Sequence, residues 1–144
     1  MSRMTPYWLA ALLCICAPSV HAQDFHTQDA AAVHELKAAP GKDVRVGIYT
    51  TIRPDCTSGP LPAIRLAAPP AHGAVTVKRA TFKATNIKQC LATEVPAFVA
   101  FYRAADGFNG ADAFVLEVSW AGGRKEMQRF QMTVSSNPGA GQGI

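Results

Sequence analysis

FYRAADGFNGADAFVLEV, residues 101–118, reads as a strand, a glycine-bearing turn and a second strand. Tyr102 and Phe108 are large apolar bodies able to plug one end of a pair of sheets. Gly107 and Gly110 permit a positive φ or a close backbone approach in the connection. Asp112 is short enough to accept hydrogen bonds from loop amides and to fix the turn. Phe114, Leu116, Val118 and Trp120 then fall on one face of the following strand, with Val115, Glu117 and Ser119 on the other, the period of a half-buried strand. The run speaks about fold and is almost silent about chemistry.

The same punctuation continues on both sides. Downstream, Ala121, Gly122 and Gly123 turn the chain, and Phe130, Met132 and Val134 alternate with Arg129, Gln131 and Thr133 in a last strand. Residues 136–144, built of Gly, Ser, Asn and Pro with little else, are expected to be a disordered tail. Upstream, Val44, Val46 and Ile48 mark a strand, and residues 63–67 a short one ended by Pro69 and Pro70. Residues 73–78 and 80–85 are read as a hairpin, and residues 97–102 as an aromatic-rich strand. Residues 51–62 and 87–96 are loops, each holding one cysteine. A short strand is expected over 33–38, after a loose leader that begins at residue 23. Seven or eight short strands without a long helix predict an all-β fold, an antiparallel β-sandwich over residues 39–135. A closed barrel satisfies the same pattern.

The N-terminus is set apart by its chemistry. Arg3 precedes an uncharged apolar run over residues 7–17, Pro18 breaks it, and Val20 and Ala22 are small residues at cleavage-site spacing. This predicts a signal peptide over residues 1–22, removed on export. The run is too short to cross a bilayer, which needs roughly 20 apolar residues, and no membrane span is expected. Of 144 residues, 122 remain after residue 22; of 14 Lys and Arg only Arg3 leaves, so 13 cations face 10 acids and the net charge is +3. That is well short of a nucleic-acid-binding signature. Cys14 and Cys16 leave with the signal peptide, so Cys56 and Cys90 can pair only with each other within the chain. An oxidising compartment favours that disulfide. Neither Cys-x-x-Cys nor a short-spaced zinc-ligand set is present.

Tyr102, Gly107, Phe108, Gly110, Asp112 and Phe114, preceded by Pro70, His72, Gly73 and Val75, carry a resemblance to bacterial Ig-like domains of the cadherin-like type. In these a P-x-H-G-x-V turn comes before Y-x-P-x-x-G-F-x-G-x-D-x-F. The resemblance covers roughly residues 40–134 and implies an Ig-like sandwich, with little about function. Ala104 stands where the family has proline, Leu116 where an aromatic is common, and the cysteine pair is not a general family feature.

No catalytic constellation emerges. Gly-x-Ser-x-Gly is absent, and His26, His34 and His72 are scattered, so neither an enzyme nor a cofactor or metal is expected. Asp106, Asn109 and Asp112 place three oxygen side chains within seven residues, but calcium asks for six to eight oxygens, and turn chemistry explains them better. Lys78, Arg79, Lys83 and Lys88 form one basic cluster, and Arg124, Lys125 and Arg129 a second. Such charges guard sheet edges against aggregation. They also suit an anionic partner, so the expected role is binding to an envelope protein or a glycan in the periplasm. The alternatives are an accessory envelope component with no ligand site, and an exported inhibitor whose loop near Cys56 or Cys90 enters a hydrolase.

Overall fold

Period-two alternation, interrupted by glycine and proline, leaves the chain one way to bury its apolar residues: strands with one wet and one dry face. In the computed structural model, which describes residues 31–85 and 89–137, these form seven strands and no helix. They are β1 (Ala32–Ala38), β2 (Asp43–Tyr49), β3 (Ala63–Ala68), β4 (Gly73–Lys83), β5 (Glu94–Ala104), β6 (Gly110–Ser119) and β7 (Lys125–Val134). The signal peptide expected over 1–22, the first part of the leader, Lys88, and the tail from 138 lie outside the described residues.

Two sheets result, one ordered β1-β7-β6-β3 and the other β2-β5-β4. All pairings are antiparallel except β1 with β7. The core lies between the sheets. Tyr49, Ala100 and Tyr102 enter it from the three-stranded sheet; Phe114, Leu116, Val118, Phe130, Met132 and Val134 enter from the other. Tyr102, Phe114 and Phe130 stack in series, with ring centroids 5.6 and 4.7 Å apart. Fully burying each such side chain is worth about 2–3 kcal/mol, so this column, laid down by β5, β6 and β7, is the axis of the sandwich.

Two boundaries differ from the sequence reading. The expected hairpin over 73–85 is one unbroken strand, β4, paired with β5 from Gly73↔Ala104 to Lys83↔Glu94. Arg79 sits where a turn would be needed, and it has none of the conformational freedom that tight hairpins demand. The sandwich also begins at Ala32 rather than 39, because β1 pairs along β7 and Ala38 is buried in the core.

Candidate functional site

Asp112 is the one buried charged side chain of the described core, 7% exposed. It stands near the start of β6, and its oxygens reach away from its own turn. Oδ1 accepts from the Ala71 and Ala113 amides, both at 2.9 Å. Oδ2 accepts from the His72 amide at 3.0 Å and from the Tyr102 hydroxyl at 2.8 Å. Burial pushes the Asp112 carboxyl upward, but the Tyr102 hydroxyl and the three amides outweigh it and hold the group below the usual carboxylate range. The Tyr102 hydroxyl is pushed well up, by burial first and then by Asp112. Four donors on two oxygens leave this carboxylate saturated. It joins β6, β5 and the β3–β4 connection, and offers little to a ligand.

The rest of the motif surrounds this hub. The Ala105 amide donates to the His72 carbonyl at 2.8 Å, and the His72 imidazole stacks on Phe108 with centroids 4.3 Å apart. Phe108 is half-buried against the core, and Tyr102 is fully buried. Gly107 closes the connection at φ +76°, and Gly110 enters β6 at φ +144°. A methyl group on Gly73 would stand 2.6 Å from the Arg103 carbonyl oxygen and 2.7 Å from the Tyr102 ring. Pro70 is half-buried just before the two amides that bind Asp112. Open hollows of about 450 and 480 Å³ flank the Ala71–His72 turn. The first is edged by Arg103 and Asp106, the second by Gln131 and Thr133. The second also carries His72, Asp112 and Thr133 on its wall, but they are not linked as a catalytic relay: the His72 imidazole stacks on Phe108, and Asp112 accepts from three backbone amides and the Tyr102 hydroxyl.

The trio considered for calcium does not converge. Asn109 Oδ1 accepts from the Ser136 amide and hydroxyl, each at 2.8 Å, while Asp112 is committed inward. Among the described residues no three His, Cys, Asp or Glu side chains come together in a way that suits a metal ion.

At the opposite end, Cys56 and Cys90 form a disulfide with Cα atoms 5.2 Å apart. It ties the β2–β3 connection to the β4–β5 connection. The first is ordered by its own bonds: Asp55 accepts from the Thr57 amide and hydroxyl, and Ile52 bridges to Ser58. Cys56 and Ala92, each at φ 65°, are the two non-glycine residues with positive φ among the described ones.

The two basic clusters lie on different sheets. Lys78, Arg79 and Lys83 are exposed on β4, an outer strand of the three-stranded sheet. Arg124, Lys125 and Arg129 lie on the β6–β7 hairpin and β7, inside the other sheet. Arg124 covers the Trp120 ring at 5.1 Å, so that half-buried indole is not an open platform. The Lys78 ammonium stands 5.3 Å above Phe101 on the outward face. Among the described residues, neither Lys78 nor Arg79 has a carboxylate within 4.0 Å, whereas Arg65 pairs with Glu117 at 2.8 Å and Arg103 with Asp43 at 3.8 Å.

Three features were not drawn from the sequence. Tyr49 donates across the sandwich to Gln128 Oε1 at 2.8 Å, and Gln128 in turn donates to Glu126 at 2.7 Å. Burial, with Glu126 adding, pushes the Tyr49 hydroxyl up to about 12. Leu66 on β3 and Val77 on β4 share faces with core residues yet are 38% and 41% exposed. Alternation reveals which face a residue takes; only the strand order tells that both strands are outermost.

No family model matches the chain, and no curated protein matches its sequence. Amebosin, known from its solution structure, is similar to the chain with a TM-score of 0.41 and 10% identity, covering 73% of this chain and 98% of that one. A likeness at that level carries no inference.

Proposed function

We propose that the chain is an exported, non-catalytic Ig-like sandwich of the bacterial envelope that works by binding an anionic partner through the basic β4 strand. The observation that carries this reading is the contrast between the two kinds of charge. The motif's carboxylate is saturated by internal donors, whereas Lys78 and Arg79 stand exposed without carboxylate partners among the described residues.

The Ig-like part of the reading is supported by strand order. In the Ig arrangement strands B, E and D share one sheet and C, F and G the other. Here β2, β5 and β4 occupy the first set and β3, β6 and β7 the second, with β1 beside β7. Export is supported by the Cys56–Cys90 disulfide, a bond that persists in oxidising compartments.

The test is retention of the disulfide-bonded chain on sulfated dextran and on polyglutamate across a salt series. Binding should fall steeply with ionic strength, and Lys78→Glu with Arg79→Glu should abolish it, while Arg124→Glu with Lys125→Glu should leave most of it. Absent or salt-insensitive retention would refute the reading.

A further inference from the structure

We infer that the outer edge of β4, unpaired among the described residues, accepts an extended, acidic segment of a partner protein as an added strand; this rests on the anionic-partner reading above. Among the described residues the two sheets end in four outer strands: β1, β3, β2 and β4. β2 is interrupted by a register shift between Arg45 and Gly47, and β3 by one between Leu66 and Ala68, with Pro62, Pro69 and Pro70 beside it. β1 has seven residues and runs straight into Pro40. β4 has eleven, pairs with β5 without a shift, and contains no proline. Its other edge presents a long, regular row of backbone donors and acceptors, a template for one more strand.

Side chains specify what that strand must be. Val75 and Val77 face the core side opposite Tyr102 and Ala100, and Val77 is 41% exposed; Leu66, core-facing on β3, is 38% exposed. An added strand with aliphatic residues opposite Val75 and Val77 would cover this open row. Next along β4 come Lys78 and Arg79, and β4 itself carries no acid. Lys83 faces Glu94 across the β4–β5 pair, so the uncompensated charge is centred at 78–79. A second copy is the wrong occupant. Antiparallel pairing of two β4 edges about their midpoint sets Lys78 against Lys78, and like charges directly opposite are destabilising. Lys78, which repels its copy, and Arg79 beside it attract a strand with two adjacent carboxylates at that level. A flexible polyanion would satisfy the charges but not the backbone edge or the valine row.

The test uses the disulfide-bonded full chain with amide hydrogen exchange as readout. The probe is a capped peptide alternating valine and threonine and continuing into two glutamates. Its control carries two lysines in their place, and sulfated dextran serves as the glycan-like arm. The glutamate peptide should slow exchange at alternate amides of β4 by tenfold or more, leaving those paired with β5 unchanged. Lys78→Glu with Arg79→Glu should lose the glutamate peptide and gain the lysine peptide, which also shows that the variant folds. Binding of sulfated dextran alone, or peptide binding without alternate protection, would overturn strand addition and leave the anionic-partner reading standing. Failure of every anion would remove both. A dimer whose β4 amides are protected without peptide would replace the partner with a second copy and overturn the inference.

Discussion

Asp112 shows how one side chain can look functional and be structural. Its four donors come from three segments of the chain, so replacing it disturbs all three at once. In Asp112→Asn an NH2 group takes the place of one oxygen. At the Oδ1 position it would oppose two backbone N–H groups. At the Oδ2 position it would oppose only the His72 amide, since the Tyr102 hydroxyl can turn to accept. Hydrogen bonds to a charged group are worth about 1.5–3 kcal/mol each, so the expected loss is about 3 kcal/mol, against about 1.5–2 for Tyr102→Phe, which removes one of the four. Urea unfolding at neutral pH measures both; equal losses would mean that the charge is not what matters. The pH dependence follows from the same contacts. The folded carboxyl lies below its unfolded value of about 3.9. Its contribution is therefore fully present above about pH 4 and lost as pH falls through the folded pKa. The gap between wild type and Asp112→Asn should close below pH 4; a gap constant down to pH 2 would contradict the assignment. At the alkaline end the sign is reversed. Tyr49 is pushed up to about 12, so its contribution holds below the unfolded value of about 10 and is lost as pH rises to 12. Tyr49→Phe should flatten the decline in the urea midpoint over that range.

Strands were largely legible because β5, β6 and β7 carry alternation with buried aromatics on one parity, and that pattern needs no tertiary information. β4 was not. Its residues are exposed or half-buried on both faces, as befits an outermost strand, so no parity marked its length and Arg79 passed for a turn. The motif glycines were legible as special positions, but for two separate reasons that only the packing distinguishes. Gly107 has φ +76° and nothing within 4 Å of an added Cβ, so Gly107→Ala should cost about 1–2 kcal/mol of backbone strain. Gly73 has no positive φ, but its missing Cβ is space taken by the Arg103 carbonyl and the Tyr102 ring. Gly73→Ala should cost about 1–3 kcal/mol through overpacking. Tyr102→Ala added to each substitution separates the causes in thermal unfolding. Removing the ring should reduce the Gly73→Ala penalty and leave the Gly107→Ala penalty untouched. Asp112 was legible as a hydrogen-bond acceptor; its partners were not, because Ala71 and His72 lie about 40 residues away, with |i−j| of 41 and 40.

The whole molecule is a sandwich fastened differently at its two ends. Strand directions put Ala38, Asp43, Ala68, Gly73, Ala104 and Gly110 at one end, where the Asp112 hub and the bond from the Gly41 amide to the Ala104 carbonyl (3.0 Å) join the crossing connections. The opposite end holds the β2–β3 crossing, and there the fastening is covalent. Cys90 is 4% exposed and its neighbours Ala84, Val95 and Ala97 are buried, yet none of them belongs to the main core cluster. Closing a loop with a sequence separation of 34 removes denatured-state freedom worth about 3.5–4 kcal/mol. Cys56→Ala with Cys90→Ala should therefore leave a folded sandwich held by its core and its Asp112 end, with a stability lower by about that amount, a large share of the roughly 5–15 kcal/mol usual for a domain. β5 runs the length between the ends, and eleven residues at about 3.3 Å each separate them far beyond the range at which mutational effects couple. Adding Tyr102→Phe to the cysteine pair should then cost what it costs alone, within about 0.5 kcal/mol. Denaturant midpoints of the four proteins give the answer, and a coupling larger than that would mean that the two fastenings report on one cooperative end-to-end element rather than on two.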